Sequence, residues 1–386
     1  MLADPSPAEK LHSDALRRQI TKRIRERRGA IDFQEFMQMA LYEPGFGYYV
    51  SGKEKFSERG DFITAPVLGD IFGICLARQC EQIFDHTGMR NMLEFGAGNG
   101  ELAATVLRSL EKLERLPERY FILEPGAELR QRQAEIIQEK AGPAANRVVW
   151  LSEMPEEFSG VVLANEVLDA MPCQRFRIDD TGVARRCDVI ESGGLLNPVF
   201  SHSALSDQFC ERISAFDLPE GYESECNPVA EAWTSSLATS LKEAVVLLID
   251  YGFPDREYYH PDRSQGTLMC HYRHIAHSDP MFYPGLQDIT AHVDFTAIGN
   301  SASTAGLDVC GYTTQAGFLL GCGALEHLQT RQLEAGSDRE YLEMSQEMKK
   351  LVLPHEMGEL FKVLSLSRNI ELDLIGFQIQ NRMGKL

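Results

Sequence analysis

Residues 93–100 read Leu-Glu-Phe-Gly-Ala-Gly-Asn-Gly (LEFGAGNG), and the reading of this stretch decides the fold. The run 91–95 that leads into it has the length and aliphatic content of a buried strand. Behind it, Glu101 opens a run of helical periodicity to residue 115, an acid placed where a helix N-terminus carries partial positive charge. Gly96, Gly98 and Gly100 therefore fall where a strand reverses sharply into a helix and where a ligand can approach bare backbone. Working outward, strands are expected at 120–123, 160–164, 244–250 and 307–310. A helix is expected over 68–84, because apolar residues at 68, 71, 72, 75, 76 and 83 form one stripe. Strands alternating with crossover helices predict an α/β fold, a doubly wound parallel sheet with helices on both faces.

The pattern breaks over 174–239. There QRFRIDDTGVARRCDVIESGGLLNPVF alternates polar and apolar residues around DDTG and SGG, as hairpin strands do, which predicts a small inserted β-rich subdomain. The segment 255–295 is rich in aromatics, histidine, proline and glycine, and it is too long for a plain connection, so a binding loop or lid is expected. After it, a helix-rich tail over 315–369 leads to 370–377, expected as the last strand. Near the N-terminus, Leu11, Leu16, Ile20 and Ile24 lie among the cations of 17–28 as on an amphipathic surface helix. The expected organisation is an N-terminal helical region 1–60, a first core part 61–173, an insert 174–240, and a second core part 241–386 that contains the long loop and helical C-terminal additions.

A net charge of -19 argues against nucleic acid as partner, since such proteins carry a basic field. It would suit a cationic substrate, although acidity for solubility alone is the commoner reason. With 44% apolar and 25% charged residues and no apolar run of bilayer length, membrane insertion is not expected. Nine cysteines, odd in number and without a C-x-x-C pair, read as reduced thiols, not as a disulfide framework or zinc cage. Glu26 interrupts the basic stretch 17–28 and Asp14 precedes it, so a cytoplasmic location is favoured over a mitochondrial one. His271, His274 and His277 follow a strand-like GTLMCHY run that would put 271 and 277 on one face and 274 on the other, and no metal is expected.

The glycine spacing separates cofactors. Dinucleotide folds use G-x-G-x-x-G to seat a pyrophosphate, whereas this turn is G-x-G-x-G. Glu94 just before it suits a positive charge, which favours a sulfonium and an α-amino group. Glu124, at the end of the second expected strand, stands where such folds hold an acid for ribose hydroxyls. After the third strand come Asn165-Glu166-Val167-Leu168-Asp169, with Glu166 and Asp169 on one face if the segment turns helical. The competing reading has Glu166 capping that helix and Asp169 paired with a nearby cation. Asp250 and Tyr251 end a further strand, and Asp288, Thr290, His292 and Asp294 follow Pro284-Gly285.

LEFGAGNG, ERGDFITAP (58–66), LANEVLDAMP (163–172), LLIDYGF (247–253) and PGLQDITAHVDF (284–295) together resemble the MidA family, in family order over residues 30–377. LEFGAGNG alone fits any class I methyltransferase, while GDFITAP and PGLQDITAHVDF are particular to this family. The resemblance implies a Rossmann-like class I methyltransferase that uses S-adenosylmethionine. The mitochondrial branch of the family methylates an arginine in a subunit of respiratory complex I, so a protein substrate of that kind is implied. Carried over, Gly96, Gly98 and Glu124 are the cofactor turn and ribose acid, with Asp61 and Phe62 in a loop near the same pocket. Glu94, Gly100 and Asn165 complete the expected cofactor-binding set. NEVLD takes the methyl-transfer position, where Glu166 and Asp169 can bind a guanidinium by paired hydrogen bonds and aim one nitrogen at the methyl. His292 or Asp288 is placed to accept the proton. A small-molecule O- or N-methyltransferase stays open, as does an assembly factor that keeps the cofactor site without turnover, and the sequence is compatible with a homodimer.

Overall fold

The computed structural model describes residues 3–50, 65–334 and 338–386. Two compact units divide the chain, one comprising Ile63–Val167, Ala232–Gly252 and Phe295–Leu386, the other Met1–Phe62, Leu168–Glu231 and Phe253–Asp294.

The first unit is built on a sheet of Asn91–Phe95 (β1), Arg119–Leu123 (β2), Val148–Leu151 (β3), Phe158–Asn165 (β4), Leu241–Phe253 (β5), Asp308–Thr314 (β6) and Phe361–Arg368 (β7), ordered β6-β7-β5-β4-β1-β2-β3. The strands from β5 to β3 are parallel, and β7 runs antiparallel between β5 and β6. Helices Ile71–Thr87 (α1), Glu101–Lys112 (α2) and Ala127–Ala141 (α3) belong to the same unit. Strands covered on both faces need apolar residues at successive positions. The runs Val161 to Ala164 on β4 and Val245 to Ile249 on β5 meet that need, every residue being 2% exposed or less. The α/β class and the doubly wound sheet are as expected.

Three boundaries differ from the sequence reading. The last strand is β7, inside what reads as helical tail, while 370–377 carries only the single turn Ile375–Phe377. The helix expected over 68–84 splits into Ala65–Leu68 and α1, interrupted at Gly69 and Asp70. The strand expected at 307–310 runs on to Thr314.

In the second unit, helix Pro7–Glu26 buries Leu16, Ile20 and Ile24 but leaves Leu11 68% exposed, so the apolar stripe is one residue shorter than expected. Ile31–Asp32, Ala184–Ser192, Gln174–Ile178 and Glu223–Cys226 pair in that order, with Leu195–Ala204 added beside Ala184–Ser192. The long segment 255–295 is not structureless. It holds a small sheet in which Met269–Tyr272 pairs with Ile275–His277 on one side and Asp288–Thr290 on the other. Arg273 and His274, at φ 50° and 62°, reverse the chain between the first two. That turn corrects the histidine reading: His277 pairs with Cys270 and His271 with Ala276, which puts 271 and 277 on opposite faces. Among the described residues no His, Cys, Asp and Glu cluster of three or more is placed to hold a metal ion, and no helix is long and apolar enough to cross a membrane.

Candidate functional site

Parallel register lines up the carboxyl ends of the central strands. Phe95 of β1 stands opposite Leu123 of β2 and Ala164 of β4, and Asn165 stands opposite Ile249 of β5. The next groups out are Gly96, Glu124, Asn165 with Glu166, and Asp250, a row along one sheet edge with neighbouring strands about 4.8 Å apart. The strand order also reverses at β1, from which the chain proceeds to β2 and β3 on one side and returns to β4 and β5 on the other. Ligands of open α/β sheets bind outside the strand ends at such a point.

The turn after β1 needs its glycines. Gly96, Gly98 and Gly100 adopt φ 63°, 52° and 94°, the left-handed region that side chains disfavour. A Cβ on Gly96 would also stand 2.7 Å from Val167 Cγ2, and one on Gly100 would stand 3.2 Å from Gln133 Cα. Glu101, first in α2, is committed locally: its N–H donates to Asn99 Oδ1 at 3.1 Å and its carboxylate pairs with Lys140 at 2.6 Å. The turn therefore presents backbone and little else.

Glu94 lies beneath it, 2% exposed, and accepts the Tyr120 hydroxyl at 2.8 Å. Burial pushes its carboxyl up to about 7, opposed by the Tyr120 hydrogen bond. Glu124 immediately follows β2, and its Oε1 accepts Gly126 N–H at 2.7 Å. Partial burial raises this carboxyl above its usual range, while the Gly126 N–H, Arg130 and Gln133 pull the other way. Asn165, the last residue of β4, donates Nδ2 to Glu166 Oε1 at 3.1 Å, while its buried Oδ1 has no partner among the described residues. Glu166 is held at φ 53°, with its N–H donating to Ile249 O at 2.9 Å. Asp250, 1% exposed, accepts Val167 N–H at 3.2 Å and Tyr251 N–H at 2.9 Å. It thus fixes the residue against which Gly96 packs.

The expectation that Glu166 and Asp169 share a helical face is not met. The chain after Asn165 makes bends and a turn with no helix, because Glu166 takes a left-handed conformation that a right-handed helix cannot include. A cap at Glu166 falls too, because no helix follows it to be capped. Asp61 and Phe62 lie outside the described residues.

Within the second unit, Asp169 and Asp288 are both buried, and the Asp169 carbonyl accepts Ala291 N–H at 3.0 Å. The Tyr49 hydroxyl sits 2.9 and 3.0 Å from the two oxygens of Asp288. Tyr42 stacks on Tyr49 with ring centroids 5.4 Å apart and donates its hydroxyl to Ala170 O at 3.0 Å. Burial first, then the negative charge of Asp288, drives both hydroxyls well above the ordinary tyrosine range, and Asp169 adds to this. His292 donates its backbone N–H to Thr267 Oγ1 at 3.0 Å, and its ring packs against Phe253.

Sequence reasoning missed Tyr42, Tyr49, Gln133 and Trp150. The tyrosines carry no periodic signal. Gln133 does: with Ile137 and Ala141 it occupies the buried face of α3 at four-residue spacing, a polar residue in an apolar stripe.

The sequence profile of a family described as "Putative S-adenosyl-L-methionine-dependent methyltransferase" matches residues 75–313. A Drosophila melanogaster relative, protein arginine methyltransferase NDUFAF7 homolog, mitochondrial, is 28% identical over 371 residues, covering 88% of this chain and 82% of its own. The Danio rerio protein arginine methyltransferase NDUFAF7, mitochondrial, is 28% identical over 380 residues, with 89% and 85% covered. A crystal structure of a Burkholderia thailandensis protein bound to S-adenosyl-homocysteine is 40% identical, covers 100% of both chains and superposes with a TM-score of 0.95.

Proposed function

Because the chain belongs to this family of S-adenosylmethionine-dependent methyltransferases, we propose that it moves the cofactor's methyl group to a terminal nitrogen of an arginine side chain on a partner protein. Two relatives carry that activity in their names. The observation that carries the reading is Glu166. A non-glycine residue at φ 53° is strained, which its surroundings must enforce, and its carboxylate is oriented by Asn165 at the strand end.

The residues of the sheet edge fit the cofactor. Glu124 offers a carboxylate for ribose hydroxyls, Asn165 Oδ1 is a buried acceptor in want of a donor such as an α-ammonium group, and the Gly96 to Gly100 turn brings three glycines without Cβ to the strand end. When bound, S-adenosylmethionine supplies an electrophilic methyl on a sulfonium that leaves as a neutral thioether. The protein's part is to orient and neutralise. A guanidinium is a weak nucleophile while its charge is delocalised, so Glu166 is assigned to hold it by charge-assisted hydrogen bonds. One nitrogen then forms the N–C bond as the C–S bond breaks, and its proton is released to water.

The test is transfer of tritiated methyl from S-adenosylmethionine to lysate of a strain lacking this protein, followed by acid hydrolysis and amino-acid separation. Label in methylarginine of one protein band is expected, lost with Glu166→Gln while S-adenosylhomocysteine still binds. Label confined to small molecules or to base-labile esters overturns the arginine assignment.

A further inference from the structure

Gln133 is the group behind the glycine turn that the assigned chemistry does not use. It is fully buried on α3, yet its amide is committed at both ends: Nε2 donates to Gly98 O at 3.0 Å and Oε1 accepts Trp150 Nε1–H at 2.8 Å. An indole nitrogen can only donate and a backbone carbonyl can only accept, so these partners dictate which way the amide faces. The donor side also steadies the Glu124 carboxylate. In addition, α3 presses directly on the turn, since a Cβ at Gly100 would meet Gln133 backbone at 3.2 and 3.3 Å. One side chain thus bridges the middle glycine of the turn and the indole of β3, and lowers the carboxyl that follows β2 against the effect of burial.

We infer that Gln133 is a positioning residue for the cofactor, holding the Gly98 peptide in its left-handed conformation and setting it relative to Glu124 before the cofactor arrives. The inference rests on the reading that the cofactor binds at this turn. A peptide plane at φ 52° has no side chain of its own to hold it, and a carbonyl turned from Gln133 would carry the adjoining N–H groups with it. Trp150 acts through Gln133 by locking the amide against a flip.

The substitution that isolates this role is Gln133→Glu. It keeps size and the acceptor for Trp150 but replaces the donor facing Gly98 with an oxygen. Ionised, that oxygen repels the Gly98 carbonyl. Protonated, it donates again, so affinity lost at high pH returns at low pH. A burial-raised carboxyl places the change between about pH 6 and about pH 8. Charged groups on the elements packed around Gln133 include Glu124 after β2, Glu101 on α2, Arg130 and Lys140 on α3, and Arg147 in the turn Gly142–Arg147. Wild type carries all of them, so the ratio of variant to wild type at each pH removes their titration.

The experiment is calorimetric binding of S-adenosylhomocysteine to the full chain across that range, with far-UV circular dichroism to establish folding. For Gln133→Glu a Kd weakened on the order of tenfold is expected at about pH 8, returning to within about threefold of wild type at about pH 6. Trp150→Phe, which frees the amide to flip, is expected to weaken binding by a smaller, pH-independent factor. A folded Gln133→Glu that binds like wild type at high pH overturns the inference, as does equal weakening at every pH. If Gln133→Glu does not fold, a folded Trp150→Phe with unchanged Kd overturns it. Failure of the underlying reading looks different: Gly98→Val would then bind S-adenosylhomocysteine as well as wild type.

Discussion

Replacing Glu94 by glutamine should stabilise this protein above neutral pH. Glu94 is 2% exposed, and the Tyr120 hydroxyl is its hydrogen-bond donor. Burial moves its carboxyl from 4.5 to about 7, against a partial opposing effect of that hydrogen bond. The sign follows from proton binding. Between these two values the folded protein holds a proton that the unfolded chain has released, so folding stability falls as pH rises through the window and levels off above about 7. A shift of this size corresponds to about 3 kcal/mol. Glutamine keeps the shape and still accepts from Tyr120 but cannot ionise. The variant should therefore match wild type near pH 4, below both values, and exceed it by about 3 kcal/mol near pH 8, raising Tm on the order of 5 °C. The assay is urea unfolding followed by circular dichroism at both pH values. Glu347, which caps Ile71 N–H from a buried position and is likewise raised to about 7, titrates in both proteins and cancels in the difference. Identical pH slopes for variant and wild type would refute the reasoning, because the buried carboxyl that loses stability on ionising would then not be Glu94.

Gly96→Ala should weaken S-adenosylhomocysteine binding at least about tenfold and cost about 1–3 kcal/mol, since it combines a left-handed φ with a Cβ 2.7 Å from Val167; calorimetry and thermal melts read the two effects. Glu124→Gln should raise the Kd about tenfold with the melt nearly unchanged, because the carboxylate stands at the sheet edge and accepts from Gly126; an unchanged Kd would remove it from the cofactor's partners. Tyr49→Phe takes a hydroxyl from both oxygens of the buried Asp288, so a loss of about 1–3 kcal/mol in stability is expected, read by thermal melts. An unchanged melt would remove that hydroxyl from the groups that hold Asp288.

The groups legible in the sequence are those whose signal is local. An aliphatic run, three glycines and an amphipathic run specify strand, turn and helix within 91–112, and the structure places β1, the turn and α2 there. Glu124, Asn165, Glu166 and Asp250 could be named for the same reason, since each terminates an apolar run and strand ends are where such sheets keep their ligands.

What the sequence alone determined was therefore the α/β class, the sheet edge and the chemistry of its end residues, all set by short-range hydrophobic pattern and backbone stereochemistry. Tertiary structure decided the rest. β7 reads FKVLSLSR, with Lys362, Ser365 and Ser367 at positions that look exposed, yet all three are buried because the strand inserts between β5 and β6. Its pairing satisfies the backbone, and only the two flanking strands, distant in sequence, supply it. The Asp288 carboxylate meets Tyr49 across 239 residues, and Gln133 meets Gly98 across 35. Glu166 would share a helical face with Asp169 only if the segment turned helical, but the hydrogen bond its N–H makes to Ile249, 83 residues on, accompanies a left-handed turn instead. Such contacts depend on which segments the fold brings side by side, and no spacing within either segment encodes them.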